Sequence, residues 1–436
     1  MCGKITHKMD LWADFDNNHL SMQDAAGRSR SARHLTERAF LSLLRNWLLQ
    51  DYIASYCRSL GATRIFRRCY LIDALGLDAK SVAIDQLSDT PDAPPATRPS
   101  KGRKSKNSVP QVVPPALQPL AALSQDLSQE SKPITLNGLL LTAGSSKRKE
   151  ARLNGTATTT LNMPKESGIL PASWLEAAPL ILKEIEQSPA IFLLNPLGST
   201  VFSSEDLAPL YQRTVPTELC LLISHKQIVS RLHIAQRMPI HATALTGLLR
   251  TDRWKTLPTA EEESNKALAG FIDLFIASLQ RYFLLPVQRI AFPVVAGPAI
   301  VEDVPYTLIF ATRRQDSLIS MNDAVYLHRR CVYKQSHRGV LGEEWFADQQ
   351  RQRHADAWQQ LYQVTLQQGK AQRIRRWPDL RQQMLITHFG QFTQQDYDAV
   401  IRQLLLNREV RCEWRQRPIE TEETRIPGND DTLLWR

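Results

Sequence analysis

The chain is poor in cysteine: six in 436 residues, Cys2, Cys57, Cys69, Cys220, Cys331 and Cys412. No two have the Cys-x-x-Cys spacing, and their scatter argues against both a zinc site and a disulfide framework. Reduced thiols in a cytoplasmic protein are the expectation. No apolar run approaches the roughly 18 residues that span a bilayer, so no membrane partner is expected. Residues 1–33 are polar, lack the apolar core of a signal peptide, and read as a tail without an assigned role. There is no Gly-x-Ser-x-Gly nucleophile elbow and no Walker-type phosphate loop. His225 and His233 flank Lys226 and Arg231, but no Asp or Glu joins them at a coordinating spacing, so no metal is expected. Gly (18) and Pro (25) are too few for a fibrous or low-complexity chain.

What is present is a globular composition, 43% hydrophobic and 22% charged, on a chain long enough for two domains. Lys and Arg number 54 against 44 Asp and Glu, a net charge of +10. That balance suits a polyanionic partner; it equally suits a basic protein that touches none.

Helical periodicity runs over residues 34–60 through Leu35, Phe40, Leu43, Leu44, Trp47 and Leu48, with Thr36 as cap and Gly61 as the stop. A compact apolar run, 69–72, then ends at Asp73. Residues 85–115 are rich in Pro, Ser and Thr and carry Arg98, Lys101, Arg103, Lys104 and Lys106. They cannot bury enough apolar surface to order themselves and read as a disordered basic insertion, a solvated spacer able to brush a nucleic-acid backbone. Helices are expected over 116–127, 175–185, 205–211 and 266–282, and strands over 138–142, 190–194, 217–224 and 306–312. Short apolar strands alternating with helices point to a doubly wound, mostly parallel α/β sheet of Rossmann-like type over 34–343. Ligands in such sheets sit outside the carboxyl ends of the strands, here Asp73, Thr142 and Asn195.

Residues 344–436 have another texture. Helices are expected over 351–370, with Trp358, Leu361, Tyr362 and Leu366 as its buried stripe, over 379–389, and over 396–406 behind a Thr393 cap. Strands at 410–415 and 432–435 follow, joined by a turn-rich loop. Helix, turn, helix and two strands is the pattern of a winged helix. Arg373, Arg375, Arg376, Arg381, Arg402, Arg408, Arg411 and Arg415 suit phosphate contacts through their forked donors. Glu409, Glu413, Glu420, Glu422 and Glu423 interleave with them, so a winged helix that binds protein stays open.

In a class I methyltransferase the first strand ends at an acidic residue and a Gly-rich turn that receives S-adenosylmethionine, and a second acid at the end of the next strand binds the ribose. Here Asp73-Ala-Leu-Gly76-Leu-Asp78 keeps the acid and one glycine, so Asp73, Gly76 and Asp78 are the cofactor-binding candidates. The second strand exits through Thr142-Ala143-Gly144-Ser145, with no carboxylate where the ribose needs one. Asn195-Pro196-Leu197-Gly198 follows the clearest strand. In amino-methyltransferases such a turn holds the target amine, which makes Asn195 and Pro196 the catalytic candidates; a plain strand-exit turn is the other reading.

Together these features resemble the three-Cys-motif partner family, over about residues 34–84 and from Leu117 to Arg436. Asp73 to Asp78 falls on the family's Asp-x-Phe-Ala-Gly-Pro-Gly turn, without its aromatic residue and one glycine. Asn195 to Gly198 falls on its Asp-Pro-Phe-Gly turn, with Asp replaced by Asn and Phe by Leu. Residues 306–312 resemble its tyrosine-rich strand, and Ser320, Met321, Asn322 and Asp323 its methionine segment. The family commonly ends in a winged helix. The resemblance implies a nucleic-acid-binding protein with a degenerate methyltransferase-like domain, DNA ahead of RNA. It also implies a radical-SAM-like three-cysteine-motif protein as partner, in a bacterial mobile-element or anti-phage module. The departures fall on the cofactor turns, so the cofactor is S-adenosylmethionine or none. An active DNA or RNA methyltransferase and a non-catalytic assembly subunit stand as the other two readings.

Overall fold

The computed structural model describes residues 37–76, 115–142, 166–198, 200–258, 263–297, 300–336, 343–415 and 425–436. Thr36, Asp78 and the basic insertion, apart from Pro115, lie outside the described residues.

Helix α1 (Glu37–Trp47) passes through a π-helical turn (Leu48–Ile53) into α2 (Ala54–Thr63). Its inward stripe is the one the periodicity gives: Phe40, Leu43, Leu44, Trp47 and Leu48 are buried. Gly61, however, does not stop the helix. The helix continues to Thr63, and Arg64 takes the left-handed turn at φ 58°. Gly61 serves a close approach instead: a Cβ there would stand 2.7 Å from the Lys132 carbonyl oxygen.

Next come β1 (Arg68–Asp73), α3 (Gln118–Gln129), β2 (Thr135–Leu141), β3 (Gly168–Leu170), α4 (Trp174–Glu184) and β4 (Ala190–Leu194). They are followed by α5 (Ser204–Gln212), β5 (Thr217–Ser224), α6 (His225–Arg237), α7 (Pro239–Leu249), α8 (Ser264–Gln280), β6 (Gln288–Gly297) and β7 (Ile300–Ala311). The seven strands form one sheet in the order β3-β2-β1-β4-β5-β7-β6. β1 to β5 pair in parallel. β6 and β7 are neighbours separated by only two residues of sequence, too short a link for a parallel crossover, so they run antiparallel. The result is a mixed α/β fold around a mostly parallel sheet flanked by helices, as the alternation of short apolar runs and helical periods leads one to expect. Every residue of β4 and β5 is buried, the signature of strands covered on both faces.

Beyond the sheet, α9 (Gln315–Ser336), α10 (Glu343–Gln372), α11 (Trp377–Thr387) and α12 (Gln394–Leu406) lead to an antiparallel pair, β8 (Val410–Glu413) and β9 (Thr432–Trp435). Thr393 caps α12 through a reciprocal capping box. Its hydroxyl accepts from Asp396 N at 3.3 Å, and the Asp396 carboxylate accepts from Thr393 N at 2.8 Å.

The chain divides into two compact units. One is Cys57–Tyr282 with Ile309–Ala311; the other joins the residues up to Tyr56 to Phe283–Leu308 and Thr312–Arg436. The second unit is tied together over long sequence distances. Trp47 Nε1 donates to Ala324 O (3.2 Å), Tyr52 Oη meets Ser317 Oγ (2.9 Å), and Ser55 Oγ meets Ser320 Oγ (3.0 Å). Asn322 is buried between Phe392 O, to which its Nδ2 donates, and Gly390 N, from which its Oδ1 accepts, both at 2.8 Å. The Ser320–Asp323 segment therefore lies inside α9, where it joins that helix to the turn between α11 and α12. Among the described residues no helix is long and apolar enough to cross a membrane.

Candidate functional site

The run 3-2-1-4-5 in the strand order places the topological switch point between β1 and β4, where an open α/β sheet leaves its crevice. Asp73 ends β1 and pairs in register with Leu193 of β4; Asn195 and Pro196 follow one strand end further on. Ala74 N donates to Leu193 O at 2.9 Å and continues the pairing past the end of β1. The sheet thus brings Asp73, Gly76, Asn195 and Pro196 to one end, as their spacing after apolar runs implies.

Each is held by its own turn. Asp73 is 3% exposed, and its Oδ1 accepts from Leu75 N at 3.0 Å. Gly76 has φ +84°, with nothing within 4 Å of a Cβ built on it. It is an open left-handed turn that a side chain would strain. Asn195 Oδ1 accepts from Leu197 N (3.0 Å), and its Nδ2 donates to Gln227 Oε1 (3.2 Å). Asn195 O accepts from Gly198 N (3.3 Å) and Pro196 O from Phe202 N (3.0 Å). Arg231 donates to Gly198 O. Every oxygen that a target amine would use therefore already accepts one bond inside the turn. The sequence identifies Arg231 only as a neighbour of His225 and His233, and gives no sign of Gln227. Both stand on α6, which His225 opens and along which His233 lies.

At the exit of β2, Thr142 N and Oγ1 both donate to Leu170 O, at 2.9 and 3.3 Å. Ala143, Gly144 and Ser145 lie outside the described residues. A constellation that the sequence does not announce lies on β1 and β2. Glu166 accepts from Tyr70, from Arg68 Nη1 (2.7 Å) and from Asn137 Nδ2 (3.4 Å). Tyr70 and Asn137 are register partners, so one carboxylate clasps two adjacent strands just ahead of β3. Burial and then Glu166 push the Tyr70 phenol up to about 12, so it stays protonated as a donor. The thiols Cys57, Cys69 and Cys220 are fully buried. The Cys57 hydrogen bond, burial and the charge of Glu218 push Cys69 up, and burial does the same to Cys220. Such thiols are inert packing groups.

Among the C-terminal arginines, Arg381 is engaged: Nη1 donates to Asp398 Oδ1 at 2.8 Å, with the two side chains 16% and 10% exposed. Trp377 Nε1 donates to the same oxygen at 3.2 Å. Arg415 pairs with Asp430 at 3.1 Å in the open. Arg402 is half-buried, and Arg373, Arg375, Arg376, Arg408 and Arg411 are exposed.

No family model, curated protein or solved structure matches the chain.

Among the described residues no group of three or more His, Cys, Asp or Glu is arranged to hold a metal ion. Against S-adenosylmethionine the fit is incomplete. Gly76 offers an open turn, but the Asp73 carboxylate is buried and caps that turn, and Thr142 stands, turned to Leu170, where a ribose-binding acid is needed. A methyl-transfer step does not follow from these residues.

Proposed function

We propose that the chain is a nucleic-acid-binding protein built on a degenerate methyltransferase-like sheet, with binding carried by a C-terminal winged helix. One observation supports this reading above the others. Leu433 N donates to Arg375 O at 2.7 Å and Trp435 Nε1 to Ile374 O at 2.6 Å, so residues 374–375 flank β9 on the side away from β8. A helix, an extended segment, two further helices and a closing hairpin is the plan of a winged helix, the fold element that sets a helix or a wing against a duplex. The arginines around it supply the charge. A radical-SAM-like three-cysteine-motif partner and a mobile-element or anti-phage setting follow from the sequence resemblance alone.

The test is binding of the full chain to labelled DNA and RNA duplexes as salt is raised. The expected result is an affinity whose logarithm falls linearly with the logarithm of salt, since each phosphate contact releases counterions. No binding at about 50 mM salt, or a flat dependence, overturns the reading.

The second reading, an S-adenosylmethionine-dependent methyltransferase of DNA or RNA, is favoured by the meeting of Asp73, Gly76 and Asn195 at the switch point. Calorimetry with the cofactor separates the two. Low-micromolar binding lost in Asp73→Ala supports methyl transfer; no heat at millimolar cofactor supports the degenerate sheet.

A further inference from the structure

In many helix-turn-helix proteins the helix after the turn reads the duplex. Here that helix is α12, and its chemistry is wrong for a polyanion. Its first turn carries Asp396, with Asp398 just behind, and Asp323 accepts from Gln394 N at its start (3.0 Å). Burial pushes the Asp323 carboxyl up; its bonds from Asn322 and from Gln394 N offset part of that, and the charges of Asp396 and Asp398 add to the rise. Arg381 is held by Asp398, and His354 Nε2 lies 3.3 Å from Asp396 Oδ1. The exposed positions Gln395 and Leu406 and the half-buried Ala399 are uncharged, and Arg402 is half-buried with its Nε bonded to nothing in the described structure.

The exposed cations are elsewhere. Arg375 and Arg376 lie on the segment beside β9, Arg373 lies in the left-handed turn that leads into it from α10, and Arg411 lies on β8, on the other side of β9. Adjacent strands are about 4.8 Å apart, and the backbones of Arg375 and Arg411 lie on the two sides of β9. Between them Leu434, register partner of Arg411, is 41% exposed, so β9 presents no acid there. Glu409 is paired with Lys370 at 3.5 Å; Glu413 stands at the far end of β8. Arg408, exposed at the end of α12, adds a further cation next to β8. Arg373 and Arg408 both hold left-handed backbone, at φ 51° and 56°, a conformation that costs an ordinary side chain about 1 kcal/mol or more.

Resting on the winged-helix reading above, we infer that the phosphate backbone of a nucleic acid lies across the small sheet, on Arg373, Arg375, Arg376, Arg408 and Arg411, and not along α12. Recognition there is by charge and shape; α12 serves as a support that braces the sheet.

The experiment compares the full chain with two variants by fluorescence anisotropy, using random-sequence DNA and RNA duplexes between about 50 and 200 mM salt. One variant is Arg375→Gln/Arg376→Gln/Arg411→Gln; the other is Gln395→Ala/Arg402→Gln on α12. Circular dichroism checks that both are folded. The expected result is that the triple variant binds at least tenfold more weakly, with its salt slope on DNA lower by about 2.7, or about 0.9 per lost contact. The α12 variant stays within about twofold of the parent. Binding by DNA alone, RNA alone or both supports the inference and identifies the ligand. A triple variant that binds like the parent, or an α12 variant that loses binding, overturns the inference and leaves the winged-helix reading standing. Displacement by polyglutamate as effective as by duplex also overturns it, since the surface would then serve an acidic protein. Failure of the unmodified chain to bind either duplex removes both readings together.

Discussion

Arg381 shows how a residue can look like a ligand contact and be a structural one. By sequence it is one of a run of arginines; in the fold it closes on Asp398, and Trp377 shares the same carboxylate oxygen. Removing one partner of a pair this buried leaves the other charge uncompensated. Arg381→Ala is expected to cost about 3 kcal/mol, read as a lower urea midpoint with an unchanged slope. The double replacement Arg381→Met/Asp398→Asn is expected to recover most of that loss, because it removes both desolvated charges together and keeps an oxygen for Trp377 Nε1. An Arg381→Ala variant as stable as the parent would mean that the pair contributes nothing, and a double variant no more stable than the single one would mean that the uncompensated charge is not the cause. The non-glycine residues with positive φ among those described are Arg64, Arg250, Arg373 and Arg408, each at the C-terminal end of a helix, where a cation complements the helix dipole. Arg250 is further used: its Nη2 donates to Ser204 Oγ and its guanidinium lies over the Tyr282 ring.

At the scale of elements, β8 and β9 are four residues each, a pair that is marginal alone. What holds them is packing: Val410 and Leu433 are buried, and the Trp435 ring lies so close over α10 that a Cβ on Gly369 would meet it at 2.3 Å. Trp435→Ala is expected to destabilise the C-terminal elements by about 2–3 kcal/mol, somewhat below a fully buried tryptophan, with faster hydrogen exchange at the β8 and β9 amides. Unchanged exchange there would show that the ring is not what holds the hairpin. Most of these elements are legible in the sequence. The run 190–194 is β4, the run 217–224 is β5, and Thr393 announces α12 because caps and continuous apolar runs are local signals. β6 and the first half of β7 are not legible, since Pro293, Pro305 and the acids Glu302 and Asp303 break their apolar pattern. α9 hides because its polar residues Ser317, Ser320, Asn322 and His328 are buried against partners distant in sequence. The candidate site is legible as to its strand ends, Asp73 and Asn195. The part played by Gln227 and Arg231 is not, for it depends on how α6 folds back on the turn.

For the molecule as a whole, burial of His328 makes stability depend on acid. His328 stacks on Phe292 at 4.0 Å, and the 2.8 Å contact of its Nε2 with Pro293 O places the proton of the neutral ring on Nε2. Burial lowers its pKa from 6.5 to about 4, against the raising effect of the Pro293 carbonyl. With the folded pKa below the unfolded one, the neutral ring stabilises the fold fully above the unfolded value of 6.5, and that contribution is lost as pH falls from there to about 4. The loss is on the order of 3 kcal/mol. Urea midpoints across this window should fall with acid in the parent and fall less in His328→Gln; parallel curves would exclude His328 as the cause. The same region sets a timetable for biosynthesis. Trp47 meets Ala324 across 277 residues of chain, while Cys57–Tyr282 forms most of a unit made almost wholly from consecutive sequence. At about 5–20 residues per second, the ribosome delivers α9 some 14–55 s after α1 has emerged. For that interval Trp47 lacks the helix that it later meets, and Phe40 lacks the Phe292 and Tyr306 rings on which it packs, an apolar stripe suited to a holdase chaperone.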